Sequence, residues 1–116
     1  MSILVNCVAT ISTGNAEECS LDDYDKVMSV NVRGPWLLAR QVLTGMREQG
    51  DGVIINLSST AGIRPSQNRL AYSTSKAAIR QITRLIATDF GQYGIRANTV
   101  CPGPIDTELW RATRPA

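Results

Sequence analysis

The sequence predicts an α/β fold on a parallel sheet, and three observations carry that prediction. Short strand-like stretches, the middle one rich in β-branched residues, occur at positions 3–8, 53–57 and 95–100. Apolar residues at roughly helical spacing fill the two intervals between them. The resulting order is strand, helix, strand, helix, strand. Such alternation implies βαβ units with right-handed crossovers and parallel strands.

Each element has its own signal. The first strand, 3–8, runs into small and polar residues. Ser20-Leu21-Asp22-Asp23 has the form of a capping box, with acidic residues suited to a helix N-terminus. Tyr24, Val27, Met28, Leu37, Leu38, Val42, Leu43 and Met46 follow at helical spacing up to a stop at Gly50-Asp51-Gly52. Gly34-Pro35 interrupts this helix, and the donor missing from Pro35 predicts a kink near Val32 or Arg33. After the strand at 53–57, a polar loop spans 58–70. A second helix is expected over 71–93, with an apolar stripe of Ile79, Ile82, Leu85, Ile86 and Phe90 and with Gly94 as its cap. The last strand, 95–100, is closed by Cys101-Pro102-Gly103-Pro104. No internal repeat, low-complexity segment or linker divides the 116 residues, so they read as one domain, 1–116.

Composition excludes several functions. Hydrophobic residues make up 43%, enough for a packed core rather than a disordered chain. Twelve basic and ten acidic residues are interspersed, so no charge block points to nucleic acid or a membrane surface. No apolar run approaches a bilayer span, and the first ten residues lack the charged region of a signal peptide. Cys7, Cys19 and Cys101 are scattered and odd in number, which fits reduced thiols in a cytoplasmic protein and no metal site. Histidine is absent, which removes Ser-His-Asp and Cys-His catalysis. Acid–base work at neutral pH then falls to a carboxylate, or to a tyrosine or lysine with a shifted pKa.

Tyr72 and Lys76 supply such a pair, one helical turn apart in AYSTSK at 71–76. At about 5 Å and an effective dielectric of about 20, a lysine ammonium favours a phenolate by roughly 3 kcal/mol, or about two pKa units. The pair borders the carboxyl ends of the strands, where ligands lie in open α/β sheets. Taken alone, Y-x-x-x-K at this spacing is also what a surface turn with a snorkelling lysine looks like.

The companions of the pair separate the two readings. Ser59 lies 13 residues before Tyr72, at the end of the middle strand, and Asn31 sits at the interruption of the first helix. NVRG at 31–34, N-x-S-S-x-A-G at 56–62, AYSTSK, GIRANTVCPG at 94–103 and Thr107 occur together and in order. In this the chain resembles the classical short-chain dehydrogenase/reductase family over nearly its whole length. The resemblance implies a partial Rossmann-type, three-layer fold and hydride transfer between NAD or NADP and a carbonyl or alcohol. It implies Tyr72 as general acid or base, Ser59 as hydrogen-bond partner of the substrate oxygen, and Lys76 as the cation that lowers the Tyr72 pKa and holds the nicotinamide ribose. Asn31 would hold a water linking Lys76 to solvent. Asn6, Ala9, Pro102, Gly103, Ile105 and Thr107 would border the cofactor, with Ile105 at its carboxamide and Thr107 at the carboxamide or a phosphate. The family further implies a homo-oligomer, a dimer or tetramer packed through the two helices. Trp36, Leu37, Met46 and the stripe from Ile79 to Phe90 would supply the apolar surface.

Two departures from the family pattern stand out. Asn6-Cys7-Val8-Ala9 replaces Asn-Asn-Ala-Gly, so Val8 and Ala9 crowd a loop that glycine would leave open. No Gly-rich turn for the dinucleotide phosphates occurs, so the chain reads as the second half of such a fold, truncated at both ends, and as inactive alone. A truncated or degenerate, non-catalytic interaction module is the alternative. The substrate and the choice between NAD and NADP stay open. Ser73-Thr74-Ser75-Lys76 also matches the S-x-x-K of serine β-lactamases, but no K-T-G follows and strand–helix alternation is foreign to that fold.

Overall fold

A computed structural model describes residues 1–59, 64 and 66–102. The elements follow the predicted order: β1 (Ile3–Asn6), α1 (Leu21–Met28), a π-helical turn (Ser29–Arg33), α2 (Gly34–Gln49), β2 (Gly52–Leu57), α3 (Leu70–Phe90), a 3-10 turn (Gly91–Tyr93) and β3 (Ile95–Val100). The strands are parallel in the order β1-β2-β3, with Leu4 beside Ile54 and Ile54 beside Ala97.

Local chemistry accounts for the element ends. Ser20 Oγ accepts from the Asp23 N–H at 3.1 Å and starts α1. Gly50 closes α2 at φ 71°, and Gly94 ends the 3-10 turn at φ 78°, both in the left-handed region. The predicted kink is a π-turn. Gly34 N–H donates to the Ser29 carbonyl, five residues back. Pro35, next in line, has no N–H to give to the Asn31 carbonyl four residues behind it. Two boundaries move by more than one residue. The first strand ends at Asn6 rather than Val8, since 7 and 8 find no ladder partner. The long helix yields to a 3-10 turn after Phe90.

The strands are buried in alternation and in phase. Leu4, Ile54 and Ala97 are in register, and the core of Ala39, Met46, Ile54, Ile86, Ile95 and Ala97 packs α2 and α3 onto that one face. Gly52 is required there, because a Cβ would run into the Met46 side chain. The opposite face carries Ile3, Val5, Val53, Ile55, Leu57 and Val100, and Ile3 is 60% exposed. The described residues therefore supply the sheet and one helical layer of the partial Rossmann-type, three-layer fold. Met46, expected on an association surface, lies in the core instead, as do Ile79 and Ile86.

Three side chains cross the covered layer as a polar chain. Asn6 Nδ2 donates to Asn56 Oδ1 at 2.6 Å, Asn56 Nδ2 to Thr83 Oγ1 at 2.9 Å, and Thr83 Oγ1 to the Ile79 carbonyl at 2.7 Å. Each member is buried and partnered, as polar groups in a core must be.

Candidate functional site

The carboxyl ends of the strands, the π-turn and the first turns of α3 meet at one end of the sheet. Tyr72 is the third residue of α3 and half-buried; Lys76 follows one turn later and is 3% exposed. The Lys76 Nζ lies 5.8 Å from the centre of the Tyr72 ring and donates to the Leu57 carbonyl at 3.1 Å. Ser58 Oγ donates to the Lys76 carbonyl at 2.8 Å, so the residue is tied to the end of β2 at both its ends. Burial pushes the Lys76 pKa below its ordinary value, because no water shell supports the charge. One of three ammonium protons is spent on Leu57, and no carboxylate pairs with it among the described residues.

Asn31, 1% exposed on the π-turn, is anchored differently from the expectation. Its Oδ1 accepts from the Thr10 N–H at 2.8 Å, and its Nδ2 donates to the Thr10 carbonyl at 2.8 Å and to Ser75 Oγ at 3.0 Å. Ser75 Oγ in turn donates to the Tyr72 carbonyl at 2.6 Å. The side chain thus clamps the loop after β1 to the helix that carries Tyr72 and Lys76. Both amide protons are committed, so a water reaches this residue only through an oxygen.

The same loop is tied a second time. Gly14 N–H donates to the Asn68 carbonyl at 2.9 Å, and Leu70 N–H donates to the Gly14 carbonyl at 3.2 Å. Gly14 takes φ 133°, and Asn68, at φ 58°, turns the chain into α3. These links place 7–14 alongside the start of α3.

The remaining predicted residues fall into two groups. Ser59, half-buried, follows β2 on the same rim; Ala9 is exposed on the clamped loop; Pro102, half-buried, follows β3. Asn6 is near the rim but buried, with an amide proton spent on Asn56. Gly103, Ile105 and Thr107 lie outside the described residues. Ser75, Thr10, Ser58 and Arg69 were not singled out from sequence for the parts they take. Ser75 was legible only within AYSTSK, as an inward-facing position one residue before the lysine.

The three cysteines are unbonded, and no cluster of metal ligands occurs among the described residues. No helix there is long and apolar enough to cross a membrane.

Comparison with known proteins gives one answer. The model of a family described as short chain dehydrogenase matches residues 1–116. An uncharacterized oxidoreductase of Thermotoga maritima is 48% identical over 108 residues, 93% of this chain and 43% of that protein. The structure of a gluconate 5-dehydrogenase from Burkholderia cenocepacia, in complex with NADP and tartrate, superposes with a TM-score of 0.92. It is 33% identical over 97% of this chain and 44% of that one. A 4-hydroxyisoleucine dehydrogenase mutant complexed with NADH and succinate gives a TM-score of 0.89 at 34% identity, covering 95% of this chain and 46% of that one. The chain therefore spans less than half the length of these similar proteins.

Proposed function

The chain belongs to the short-chain dehydrogenase family, and we propose that it carries the catalytic half of an NAD(P)-dependent oxidoreductase acting on a small-molecule carbonyl or alcohol. The observation that supports this most is the Lys76 ammonium, buried, unpaired with any carboxylate among the described residues and held 5.8 Å from the Tyr72 ring. A surface lysine at this spacing would snorkel to water; this one is drawn inward to a strand-end carbonyl.

The residues present suit the nicotinamide end of a dinucleotide. The uncommitted ammonium protons of Lys76 match neutral ribose hydroxyls, and Ala9 and Pro102 stand on the same rim. The bound nicotinamide would supply or accept the hydride. Tyr72 would then donate a proton to the substrate oxygen in reduction and remove one in oxidation. Ser59 would hydrogen-bond that oxygen as charge develops on it. The Lys76 charge stabilises negative charge on the Tyr72 oxygen. Asn31 would order the relay water through its main-chain carbonyl, which Pro35 cannot serve, while its side chain holds Thr10 and Ser75 in place. Gly103, Ile105 and Thr107 complete the proposed cofactor contacts. The proposed cofactor is NAD or NADP, and the proposed location is the cytoplasm.

The fit ends at the phosphates. Among the described residues no Gly-rich turn leads from a strand directly into a helix, so the anion seat of such folds is missing. The 116-residue chain is therefore expected to show no saturable binding of NADH or NADPH below about 1 mM by nicotinamide fluorescence. Catalysis is tested in the chain completed, from its Thermotoga maritima relative, to that protein's length. There Tyr72→Phe should abolish turnover while cofactor still binds; a variant that keeps a tenth of the activity refutes the tyrosine's role.

Self-association through α2 and α3 is the second part of the proposal. A groove of about 580 Å³ between these helices is lined by Trp36, Arg40, Leu43, Arg47, Leu85 and Phe90. Trp36 and Leu85 leave apolar surface exposed there, and Leu37 and Leu38 are exposed elsewhere on α2. Light scattering of the completed protein at micromolar concentration distinguishes a dimer or tetramer from a monomer.

A further inference from the structure

Tyr72 stands between two buried cations, Lys76 four residues after it and Arg69 three residues before it. Lys76 has a role in the proposed reaction and Arg69 has none. Arg69 is only 7% exposed. Its Nη1 donates to the neighbouring Asn68 carbonyl at 3.2 Å, while Nη2 is buried with no hydrogen-bond partner among the described residues. No carboxylate pairs with it among the described residues. A buried cation without a counter-charge is unfavourable, because packing has replaced its hydration shell without a compensating partner.

Position says what would relieve it. Arg69 is the residue before α3 and Tyr72 is the third residue within it, the two positions that face each other across a helix start. Arg69 is also fixed rather than mobile, because Gly14 holds the residues on both sides of it, Asn68 and Leu70. The positive end of the 21-residue α3 adds to the local potential. We propose that Arg69 binds a carboxylate of the substrate, with Nη2 as the free donor, and so selects anionic hydroxy or keto acids over neutral alcohols. The anion supplies the missing counter-charge, and its anchoring one helical turn from Tyr72 holds the reacting carbon near the proton donor. This inference rests on the dehydrogenase reading for its choice of ligand, though not for the existence of the unpaired guanidinium.

The test measures binding, which needs no turnover. In the completed protein, calorimetric titration with succinate should show saturable binding that Arg69→Met weakens at least tenfold. Arg69→Lys, which keeps the charge and loses the fork, should fall between. Succinamide, neutral and of the same shape, should not bind in any of the three. Circular dichroism establishes that each variant is folded, and Arg69→Lys carries the test if Arg69→Met is not. The inference is overturned if the variants bind succinate within twofold of the parent, if succinamide binds as well as succinate, or if the substitution weakens NADPH instead. Turnover of neutral alcohols without Arg69-dependent succinate binding overturns the inference and spares the dehydrogenase reading. Arg69-dependent succinate binding without turnover does the reverse.

Discussion

The two faces of the sheet both carry aliphatic side chains and live in different environments. On one, Ile54 is fully buried beneath α2 and α3, with Ala97 beside it and Met46 and Ile86 above. On the other, Ile3, Val5 and Val100 are each about half exposed or more, although this face carries more β-branched aliphatics than the covered one. Parallel sheets are ordinarily covered on both faces, which is why their strands read as continuous apolar runs. The run Val53-Ile54-Ile55 is of that kind, yet only its middle member is fully buried. Apolar character therefore records what a strand is suited to bury, and the amount actually buried depends on what lies against it. Among the described residues β2 alone has neighbours on both edges, and β1 and β3 each present one edge without a strand beside it.

The sharpest way to break this contrast is on the covered side. Ile54→Ala should destabilise the chain by about 3–4 kcal/mol, the cost of lost burial plus a cavity that helices on one side cannot refill. Urea unfolding followed by circular dichroism measures it; a loss under about 1 kcal/mol would mean that the covered face is not the core.

A smaller effect of opposite sign is expected at Lys76, where the covered layer holds a charge. Lys76→Met removes an unpaired ammonium and keeps the stem, and should stabilise the chain by about 1 kcal/mol while ending activity in the completed protein. The pH dependence follows from the lowered pKa. Unfolded chains keep this proton up to the ordinary value of 10.5, and the folded chain gives it up earlier. Between the two values the unfolded state binds more protons, so stability rises with pH there. The rise should vanish in Lys76→Met. A parent and variant with parallel urea midpoints across pH 7–10.5 would contradict the assignment of burial as the cause.

On the bare face the effect should be least. Ile3→Thr with Val5→Thr should change stability by no more than about 0.5 kcal/mol, since little burial is lost, and should raise the concentration at which the chain aggregates. A loss comparable to that of Ile54→Ala would show that the bare face is covered in solution.

Much of the site was legible because its signals are short-range. Tyr72 and Lys76 share a face by helix geometry alone, Ser20 caps α1 through a bond three residues long, and Gly50 and Gly94 stand where a left-handed residue must end a turn. The interruption at Pro35 follows from one missing N–H. These are consequences of residue type and spacing, and no distant contact is needed to deduce them. Tertiary structure decided the rest. Asn31 finds its partners in Thr10, 21 residues away, and Ser75, 44 residues away, which makes a clamp of a residue expected to hold water. Asn6 meets Asn56 only because β1 and β2 are neighbours in that register. Arg69 reads in sequence as one more polar loop residue, and its unpaired guanidinium emerges only when packing around it excludes water. Hydrogen-bond partners of buried polar groups are chosen by which segments are brought together. That choice belongs to the sheet order and the packing of the helices, to which no single stretch of sequence has access.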